Sequence, residues 1–311
     1  MIRKHVIASE KDLPHMQKDT KLSVAIFAHN ISGTVSSCVK NILKYSHEKD
    51  ISVYILANGC TDSTEKVALN LQNKNSNVHL VSIPVADKAN AWNYYVYKLA
   101  PAGALHFFID GDIEVQPDAL LSISEAMNNN PNANAVGGVP VVGRDRLGWT
   151  KRMISCGRVS GGLYALRDNF INRLRQNEVK LPVGFIGEDF LVSALAKDML
   201  SLQGIYTPSP LLHIETQAGF SFRQLSPLSA VDYLAFFRRL IRYRIRDYQL
   251  SMLMNYVNAQ CTHVMPMTVE KMYENTHLLP RYYWRGRLTI IDWLAVFKIR
   301  NSAGSTSDNN N

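Results

Sequence analysis

Residues 106–112 read HFFIDGD, an apolar run that ends in two aspartates separated by one glycine. Residues 106–109 are predicted to form a buried strand, because the run is short, apolar and followed by turn-forming residues. Alternate residues of a strand point the same way, so Asp110 and Asp112 would present two carboxylates on one side. Such a pair suits a hard divalent cation, Mg²⁺ or Mn²⁺, which takes few protein oxygens. An ordinary polar turn after a strand would contain the same residues.

Three strand–helix pairs precede this strand and indicate the fold class. Asp62, followed three places later by Glu65, has capping-box spacing and predicts where the second helix begins. Strands that alternate with helices of this length imply βαβ crossovers, an α/β fold and a mainly parallel sheet. In chain order, the predicted elements are strand 22–27, a helix from Ser32 with the apolar stripe Val35, Cys38, Val39 and Ile42, strand 51–57, helix 61–72, strand 78–84 and helix 88–99.

The pattern loosens after residue 130 and becomes helical towards the C-terminus. Pro227 would occupy the first turn of a long helix, where a missing N–H costs nothing. The predicted elements are strand 133–142, a turn at Gly161 and Gly162, strand 163–167, helix 188–200 and helix 227–256. The predicted regions are an extension 1–21, an α/β domain 22–220, a basic helical region 221–300 and a disordered tail 301–311.

Polar residues follow the predicted strand ends and would converge on one rim of the sheet. Asn30 and Asn58 follow the first and second strands, as Asp110 and Asp112 follow the fourth. Ligands of parallel α/β sheets bind at this rim. Asn58 opens the sequence NGCTDST, whose polar side chains can hydrogen-bond a nucleobase or cap the next helix. These two interpretations are compatible.

An acidic pair also stands at the start of helix 188–200, where Gly187 precedes Glu188 and Asp189. A carboxylate there is able to act as general base on an acceptor hydroxyl within hydrogen-bond reach. Acids at a helix start also interact favourably with the helix dipole and then perform no chemistry. The catalytic interpretation requires Asp189 to face Asp110 and Asp112 across a single cleft.

His213 lies in the apolar segment 210–214 and has two interpretations of equal weight. A lone histidine among apolar residues is commonly a hydrogen-bonded core residue. Because the acidic pair lacks a third ligand, His213 is equally a candidate for metal ligation. Lys88 and Asn93 stand five apart on one predicted helix, near a strand end, where they would meet an anionic ligand. An exposed helix face explains Lys88 nearly as well.

The cysteines and the N-terminus predict a cytoplasmic protein. The four cysteines are scattered, without a CxxC pair, which argues for reduced thiols and against both a disulfide framework and a zinc site. Residues 1–21 mix charged and polar residues and do not resemble a signal peptide. The longest apolar run near the C-terminus, 288–297, is interrupted by Asp292 and is shorter than the ~20 residues of a membrane span.

The net charge of +8 is concentrated in residues 220–300, which hold twelve Lys or Arg against five Asp or Glu. This basic region predicts an anionic partner: a membrane surface, a phosphate-bearing acceptor or nucleic acid. Arg238, Arg242 and Arg246 follow one another at helical spacing beside the apolar stripe Leu234, Phe237, Ile241, Ile245 and Tyr248. One interpretation is a packed helix with a solvated basic face. The other is a helix that docks peripherally on anionic lipid.

The motifs, taken in order, resemble the family 2 glycosyltransferases of the GT-A fold. The carriers are SVAIFAHN (23–30), ANGCTDST (57–64), Lys88 with Asn93, FFIDGD (107–112), GGLYALR (161–167) and GEDF (187–190). Their order and spacing cover roughly residues 22–215. The resemblance implies a Rossmann-like nucleotide-sugar-binding domain and an inverting hexosyltransferase, whose acceptor is a saccharide or a lipid-linked saccharide of cell-surface polysaccharide synthesis.

The resemblance also implies a role for each matching residue. Asp110 and Asp112 match the metal and diphosphate motif around Gly111, with Asp112 as the metal ligand and Mn²⁺ or Mg²⁺ as the cofactor. Asp189 matches the catalytic base, and Glu188 would contact the acceptor or the sugar. Gly161 and Gly162 match a loop that shapes the sugar pocket, and the implied nucleotide contacts are Ala28, Asn30, Asn58, Lys88 and Asn93.

Two departures from the family pattern limit what it implies. Ala57 and Asn58 stand where many members have acids, which leaves the donor base open, with uridine as the expectation. The Gln-x-x-Arg-Trp motif of processive members is absent from the sequence, so we expect one sugar to be added per encounter.

The sequence disfavours three alternatives to a glycosyltransferase. A sugar nucleotidyltransferase needs a Gly-rich loop after the first strand, and Ala28, His29 and Asn30 do not form one. An RNA-binding module would use the arginine-rich helix, but the chain lacks the aromatic stacking motif of such modules. A relative that has lost catalysis is disfavoured, because Asp112 and Asp189 are both present.

Overall fold

The structure of the protein, a computed structural model, describes residues 21–46, 50–197, 202, 206–226, 228–259 and 264–307. Residues 1–20 of the predicted extension, Pro227, Cys261 and the end of the predicted tail lie outside these ranges. The strands are β1 Leu22–Ala28, β2 Ile51–Asn58, β3 Val78–Ile83, β4 Leu105–Asp110, β5 Ile113–Val115, β6 Ala135–Pro140, β7 Leu163–Leu166 and β8 Leu212–Phe222. The helices are α1 Val35–Lys44, α2 Thr64–Gln72, α3 Lys88–Tyr94, α4 Ala119–Asn129, α5 Arg146–Cys156, α6 Asp168–Gln176, α7 Glu188–Lys197, α8 Ala230–Ala259, α9 Val269–Tyr273 and α10 Thr289–Ser307.

The described strands form one sheet in the order β3-β2-β1-β4-β7-β6-β8-β5. Strands β3, β2, β1 and β4 are parallel neighbours, and β6 is parallel to β8. β7 is antiparallel to both β4 and β6, and β5 is antiparallel to β8. The predicted α/β fold with a mainly parallel sheet is therefore confirmed.

Both faces of the central strands are buried, which explains their continuous apolar runs. In β1, Val24 and Ile26 join one apolar core, whereas Ala25 and Phe27 join the core on the opposite face. α1 packs on the first of these cores through Val35, Cys38, Val39 and Ile42, as the sequence predicted. Helices on both faces leave the C-terminal strand ends as the accessible rim.

Aromatic rings fill the second core directly beneath that rim. The ring of Phe108 in β4 stacks on Tyr164 at 5.0 Å and on Trp92 at 5.9 Å between centroids. Phe27 of β1 stacks on the same Phe108 ring at 6.3 Å. Trp92 Nε1 donates a hydrogen bond to the hydroxyl of Tyr164 (3.1 Å), so the polar groups of this layer are paired. The layer joins β1, β4, β7 and α3 under the site.

The start of α2 differs from its prediction. α2 begins at Thr64 with Ser63 as its N-cap, and Ser63 makes no side-chain capping bond. The capping box predicted from Asp62 and Glu65 is therefore wrong. Asp62 instead accepts from the backbone N–H of Thr64 (2.9 Å) and of Ser32 (3.2 Å), because its carboxylate links the loops after β1 and β2.

α8 begins at Ala230, three residues later than predicted, and packs against the α/β domain only in part. Ile241 and Ile245 of its predicted apolar stripe are 9% exposed, but Leu234 is 53% exposed. α10 contacts α8, and an ion pair joins Arg244 to Asp292. Within the described residues, no helix combines the length and apolar character needed to cross a bilayer.

Candidate active site

The loops after β1 and β2 are tied together at the rim of the sheet. Asn30 has a left-handed backbone (φ 51°), and its Oδ1 accepts from the N–H of Thr61 at 2.8 Å. His29 Nδ1 lies 2.7 Å from the carbonyl oxygen of Asn58, and Cys60 Sγ donates to the carbonyl of Ala28 at 3.3 Å. The structure therefore brings Ala28, Asn30 and Asn58 together, as predicted from their positions after the strands.

Asn58 has a buried polar atom without a partner. The residue is 4% exposed, and its side-chain Oδ1 makes no hydrogen bond within the described part of the chain. A buried acceptor left unsatisfied is unfavourable, by roughly 1–3 kcal/mol. Asn58 Oδ1 thus lacks a donor at the rim where ligands of such sheets bind.

Lys88 joins the two acidic motifs. Its Nζ lies 2.5 Å from Asp110 Oδ1 at the end of β4, and 2.5 Å from Glu188 Oε1 at the start of α7. Asp189, next to Glu188, accepts through Oδ2 from the N–H of Gly161 at 3.0 Å. These contacts bring the acids of β4 and α7 into one charged cluster at the rim, and the predicted cleft with room for a sugar between them stays a prediction.

Gly161 forms a wall of this cleft, because a side chain there would enter the charged cluster. A Cβ at this position would lie 2.9 Å from Lys88 Nζ, 3.4 Å from Glu188 Oε1 and 3.5 Å from Asp110 Oδ2. Glycine is required at Gly162 for a different reason, because an added Cβ would lie 2.4 Å from the buried ring of Phe220. The first glycine keeps space in the cleft, and the second permits packing behind it.

Burial and neighbouring charges shift the pKa values of the cluster. Burial raises the pKa of Asp110 to about 6, although Lys88 opposes the rise. Burial, followed by the Glu188 charge, raises the pKa of Asp189, against the effect of Lys88. Burial alone would lower the pKa of Lys88, but Asp110 and Glu188 raise it well above its ordinary value. Lys88 is therefore a permanent cation between two acids.

Asp112 stands beyond this cluster with its side chain exposed. Gly111 donates to the carbonyl of Phe27 (3.0 Å), and a Cβ there would lie 2.4 Å from Ile31 Cδ1, so glycine is required by the turn itself. Carboxylate oxygens at a strand end are suitable ligands for Mn²⁺ or Mg²⁺, which keep open positions for substrate phosphates. Asp110 and Asp112 have carboxylates of the type that such a metal binds, and Lys88 pairs with Asp110 in this structure.

The prediction that His213 is the third metal ligand is wrong. Through the pairing of β8, β6, β7 and β4, His213 lies in one row with Val136, Ala165 and Phe107. It is therefore three strand spacings, about 14 Å, from β4, and three residues below the level of Asp110. His213 Nε2 lies 3.6 Å from Glu215 Oε2 instead. Across the described ranges, no three His, Cys, Asp or Glu residues form a metal-binding group.

Residues 23–190 match the model of the family described as Glycosyl transferase family 2, which is more than half of the chain. The chain belongs to this family. It is a glycosyltransferase, and the resemblance predicted from the motifs is confirmed. The matched segment contains every rim residue described above, from Ala28 to Asp189. The curated proteins include no match to this glycosyltransferase.

Solved structures show the same fold. The glycosyltransferase is similar to the mannosyltransferase PcManGT from Pyrobaculum calidifontis in complex with GDP-Man and Mn²⁺ (15% identity, TM-score 0.58, 92% of this chain and 74% of that chain). It also matches glucosyl-3-phosphoglycerate synthase from Mycobacterium tuberculosis in complex with Mn²⁺, uridine-diphosphate-glucose and phosphoglyceric acid (19% identity, TM-score 0.46, 72% and 79%). At 15% identity, the likeness to the mannosyltransferase shows the GT-A fold alone.

Asn93 of the glycosyltransferase bonds to the protein backbone with both polar atoms of its side chain. Its Nδ2 donates to the carbonyl of Leu181 (2.8 Å), and its Oδ1 accepts from the N–H of Leu181 (2.9 Å). Both polar atoms of the amide therefore hold α3 to the segment before α7. The side chain of Asn93 is therefore occupied within the protein and is not part of the proposed donor site.

Arg158 is a residue at the site that the sequence did not reveal. Its guanidinium lies 4.8 Å from the centroid of the Phe190 ring, and its charge is among those that lower the pKa of the adjacent Asp189. No ion pair of Arg158 occurs within the described ranges. The one signal in the sequence is its position three residues before Gly161, on the same loop.

Arg246 also reaches the site and does not belong to a free basic face. A Cβ on Gly187 would lie 2.5 Å from Arg246 Cδ, so the arginine stem covers the loop that carries Glu188 and Asp189. Its guanidinium lies 5.0 Å from the centroid of the Tyr243 ring. Arg238 and Arg242, by contrast, are exposed.

Proposed function

We propose that this glycosyltransferase moves one sugar per encounter from a nucleotide-sugar to a hydroxyl of a saccharide or lipid-linked acceptor, with inversion at the anomeric carbon. The observation that carries the proposal is the bridge from Asp110 through Lys88 to Glu188, with 2.5 Å at each contact. This bridge supports a site in which Asp189 faces a diphosphate held near Asp110 and Asp112.

Asp189 is the proposed general base. The acceptor oxygen attacks the anomeric carbon as its proton passes to the Asp189 carboxylate, and the sugar–phosphate bond breaks with its electron pair on the diphosphate. One base and one displacement from the side opposite the leaving group invert the anomeric configuration. The N–H groups of Gly161 and Phe190 donate to Oδ2 and Oδ1 of Asp189 (3.0 Å each) and so orient the carboxylate.

Asp112 and Asp110 are the residues proposed to hold Mn²⁺ or Mg²⁺. A bound divalent cation would neutralise charge on the diphosphate leaving group. The exposed position of Asp112 supports this role, because a substrate phosphate needs access to the same ion. The Mn²⁺ and GDP-Man of the mannosyltransferase of similar fold are consistent with it.

Asn58 supports a base with an imide-type N–H. Its unpaired Oδ1 is an acceptor, and uracil N3–H or guanine N1–H would each supply the donor that it lacks. Cytosine has an acceptor nitrogen at the equivalent place. We propose uridine as the donor base, with Asn30 beside it on the neighbouring loop.

Arg158 supports an acceptor with an anionic group. The guanidinium lies 4.8 Å from the centroid of the Phe190 ring, its charge lowers the pKa of Asp189, and no ion pair of Arg158 occurs in the described ranges. Arginine binds phosphate well because its N–H groups match phosphate oxygens. A saccharide linked to lipid through phosphate, at the cytoplasmic face of a membrane during cell-surface polysaccharide synthesis, has this chemistry. The nucleotidyltransferase and RNA-binding alternatives are not favoured, given the family of the chain.

A thermal-shift screen of nucleotide-sugars with and without Mn²⁺ tests the proposal. A true donor binds the folded state and raises the melting temperature, and the rise should require Mn²⁺. The Asp112→Asn variant should lose the Mn²⁺-dependent part, whereas Glu125→Gln, an exposed acid on α4, should retain it. Stabilisation by no nucleotide-sugar, or by all of them equally without metal, would overturn the proposal.

A further inference from the structure

α10 is apolar on two opposite sides. Ile291, Ala295, Val296 and Ile299 are at most 7% exposed and pack inward. The outer face of α10 consists of Ile290, Trp293, Leu294 and Phe297, which are 67%, 45%, 39% and 54% exposed. These positions follow the helical spacing of three and four, so they form one continuous stripe. A helix that is apolar all round normally lies in a core or against an apolar phase.

The segment before α10 adds aromatic rings to this face. Tyr282, Tyr283 and Trp284 are 49%, 57% and 80% exposed. Trp293 Nε1 donates to the carbonyl of Tyr283 (3.1 Å), and the rings of Tyr282 and Trp293 lie 6.3 Å apart. The segment and the helix therefore present a single surface. We call it the aromatic–basic surface, made of residues 281–288 and the outer face of α10.

The charge on this surface is positive. Residues 279–303 contain five Lys or Arg and one acid, Asp292, which is buried and paired with Arg244 and Arg285. Arg281 and Arg287 are exposed, and no ion pair of either occurs in the described ranges. Tryptophan, tyrosine and arginine together match the interface of a bilayer, where rings lie at headgroup level and cations meet lipid phosphates.

We propose that the aromatic–basic surface docks on an anionic lipid bilayer, with α10 lying in the plane of the interface. This inference names the partner of the glycosyltransferase and rests on the proposed function for its purpose, delivery of a lipid-linked acceptor. It moves the docking surface from the Arg238–Arg242–Arg246 face predicted from the sequence to α10. The reason is that the stem of Arg246 packs on Gly187, so the predicted face is partly covered, whereas the apolar stripe of α10 lies exposed beside exposed arginines.

Two arginines of α8 connect this surface with the active site. Arg244 pairs with Asp292 at the start of α10, and Arg246, two residues later, packs on the loop before Glu188. One helix therefore contacts both the docking helix and the segment that carries Asp189. A bilayer held by α10 would lie at a fixed position relative to the cleft, as a lipid-linked acceptor requires.

Vesicle co-sedimentation of the full chain tests the inference. The probes are phosphatidylcholine vesicles with phosphatidylglycerol and vesicles of phosphatidylcholine alone. We expect salt-sensitive binding to the anionic vesicles, together with a blue shift of tryptophan emission, since Trp284 and Trp293 leave water. Arg281→Gln with Arg287→Gln should lower the partition coefficient about tenfold or more, because each basic residue contributes about 1 kcal/mol near such a surface.

An apolar variant and a matched control complete the test. Ile290→Ser with Phe297→Ser should lower the partition coefficient about a hundredfold, since two large apolar side chains no longer enter the interface. Leu147→Ser, at a 75% exposed position on α5, should leave it unchanged. The circular dichroism spectrum and the melting temperature of the two surface variants and of Leu147→Ser should equal those of the wild type, because the substituted side chains are exposed in the structure.

Three results would overturn the inference. The first is absence of binding to anionic vesicles, and the second is binding that the two surface variants do not change. The third is a wild-type dimer that Ile290→Ser with Phe297→Ser dissociates, because a second copy would then cover the surface. Failure of the proposed function is separable: transfer to a water-soluble acceptor should survive the surface variants, and Asp189→Asn should still bind vesicles.

Discussion

The ammonium of Lys88 lies 2.5 Å from Oε1 of Glu188, although the two residues begin different helices that lie 100 positions apart in the sequence. The same ammonium contacts Asp110. A single cation therefore fixes the distance between the strand end that offers metal-binding carboxylates and the helix start that offers a base. Because Asp189 is adjacent to Glu188, this contact also influences the charge state of the base.

Lys88→Met should destabilise the protein at neutral pH by about 1–3 kcal/mol, because two carboxylates would then face each other without a cation. This is less than for a fully buried pair, since Lys88 and Asp110 are partly exposed. Without Lys88 the folded-state pKa of Asp110 is higher still, so the stability deficit of the variant should shrink as the pH falls. Urea unfolding at several pH values measures this. Lys98→Met, at an exposed position, is the control, and an equal effect there would refute the assignment.

The pH at which kcat/KM falls on the acid side, the acid limb, should lie above about 3.9, the ordinary pKa of an aspartate. The reason is that burial and the Glu188 charge raise the pKa of Asp189. The base must be ionised, so activity is lost as the pH falls through this raised pKa. Glu188→Gln removes one negative charge and should move the limb to lower pH. A limb that stays in place in this variant would show that another group limits the rate.

Arg158→Gln should raise KM for the acceptor by about tenfold and leave KM for the donor nearly unchanged. The reason is that a charge-assisted contact to an anionic acceptor is worth about 1.5–3 kcal/mol. Loss of the Arg158 charge also removes an influence that lowers the pKa of Asp189, so the acid limb should move to higher pH. Arg152→Gln, at an exposed position on α5, serves as the control. Equal changes in both KM values would argue against an acceptor contact.

Two adjacent glycines should respond differently to alanine. Gly162→Ala places Cβ 2.4 Å from the Phe220 ring and should lower the free energy of unfolding by roughly 1–3 kcal/mol. Gly161→Ala places Cβ among Lys88, Glu188 and Asp110, and should reduce turnover more than stability, because the charged groups must move. Thermal unfolding and initial rates of both variants measure this. The opposite ranking would mean that Gly161 does not line the cleft.

The strands near the N-terminus could be predicted because their pattern is local. Leu22–Ala28 and Ile51–Asn58 are short apolar runs bounded by turn-forming residues, and the stripe of α1 has regular helical spacing. Position along the strands then placed Asn30, Asn58 and Asp110 at one rim, since parallel strands end on the same side.

The errors arose where distant parts of the chain decide the outcome. His213 has a suitable side chain, but the pairing of β8 with β6 sets its level in the sheet, and no local pattern gives that register. The predicted contact of Lys88 with phosphates stays a prediction, but its contacts with Asp110 and Glu188 could not be foreseen, because they depend on how α3, β4 and α7 meet. The outer face of α10 could not be foreseen, because apolar residues predict burial without naming the partner.

The most direct test of the central claim is sugar transfer by the wild-type protein and by Asp189→Asn, with the anomeric configuration of the product determined by NMR. The account predicts a product inverted relative to the donor, and a rate in the variant lower by about 10²–10⁴-fold with the fold retained, because a positioned base contributes this much. A product of retained configuration, or a variant as active as the wild type, would contradict it.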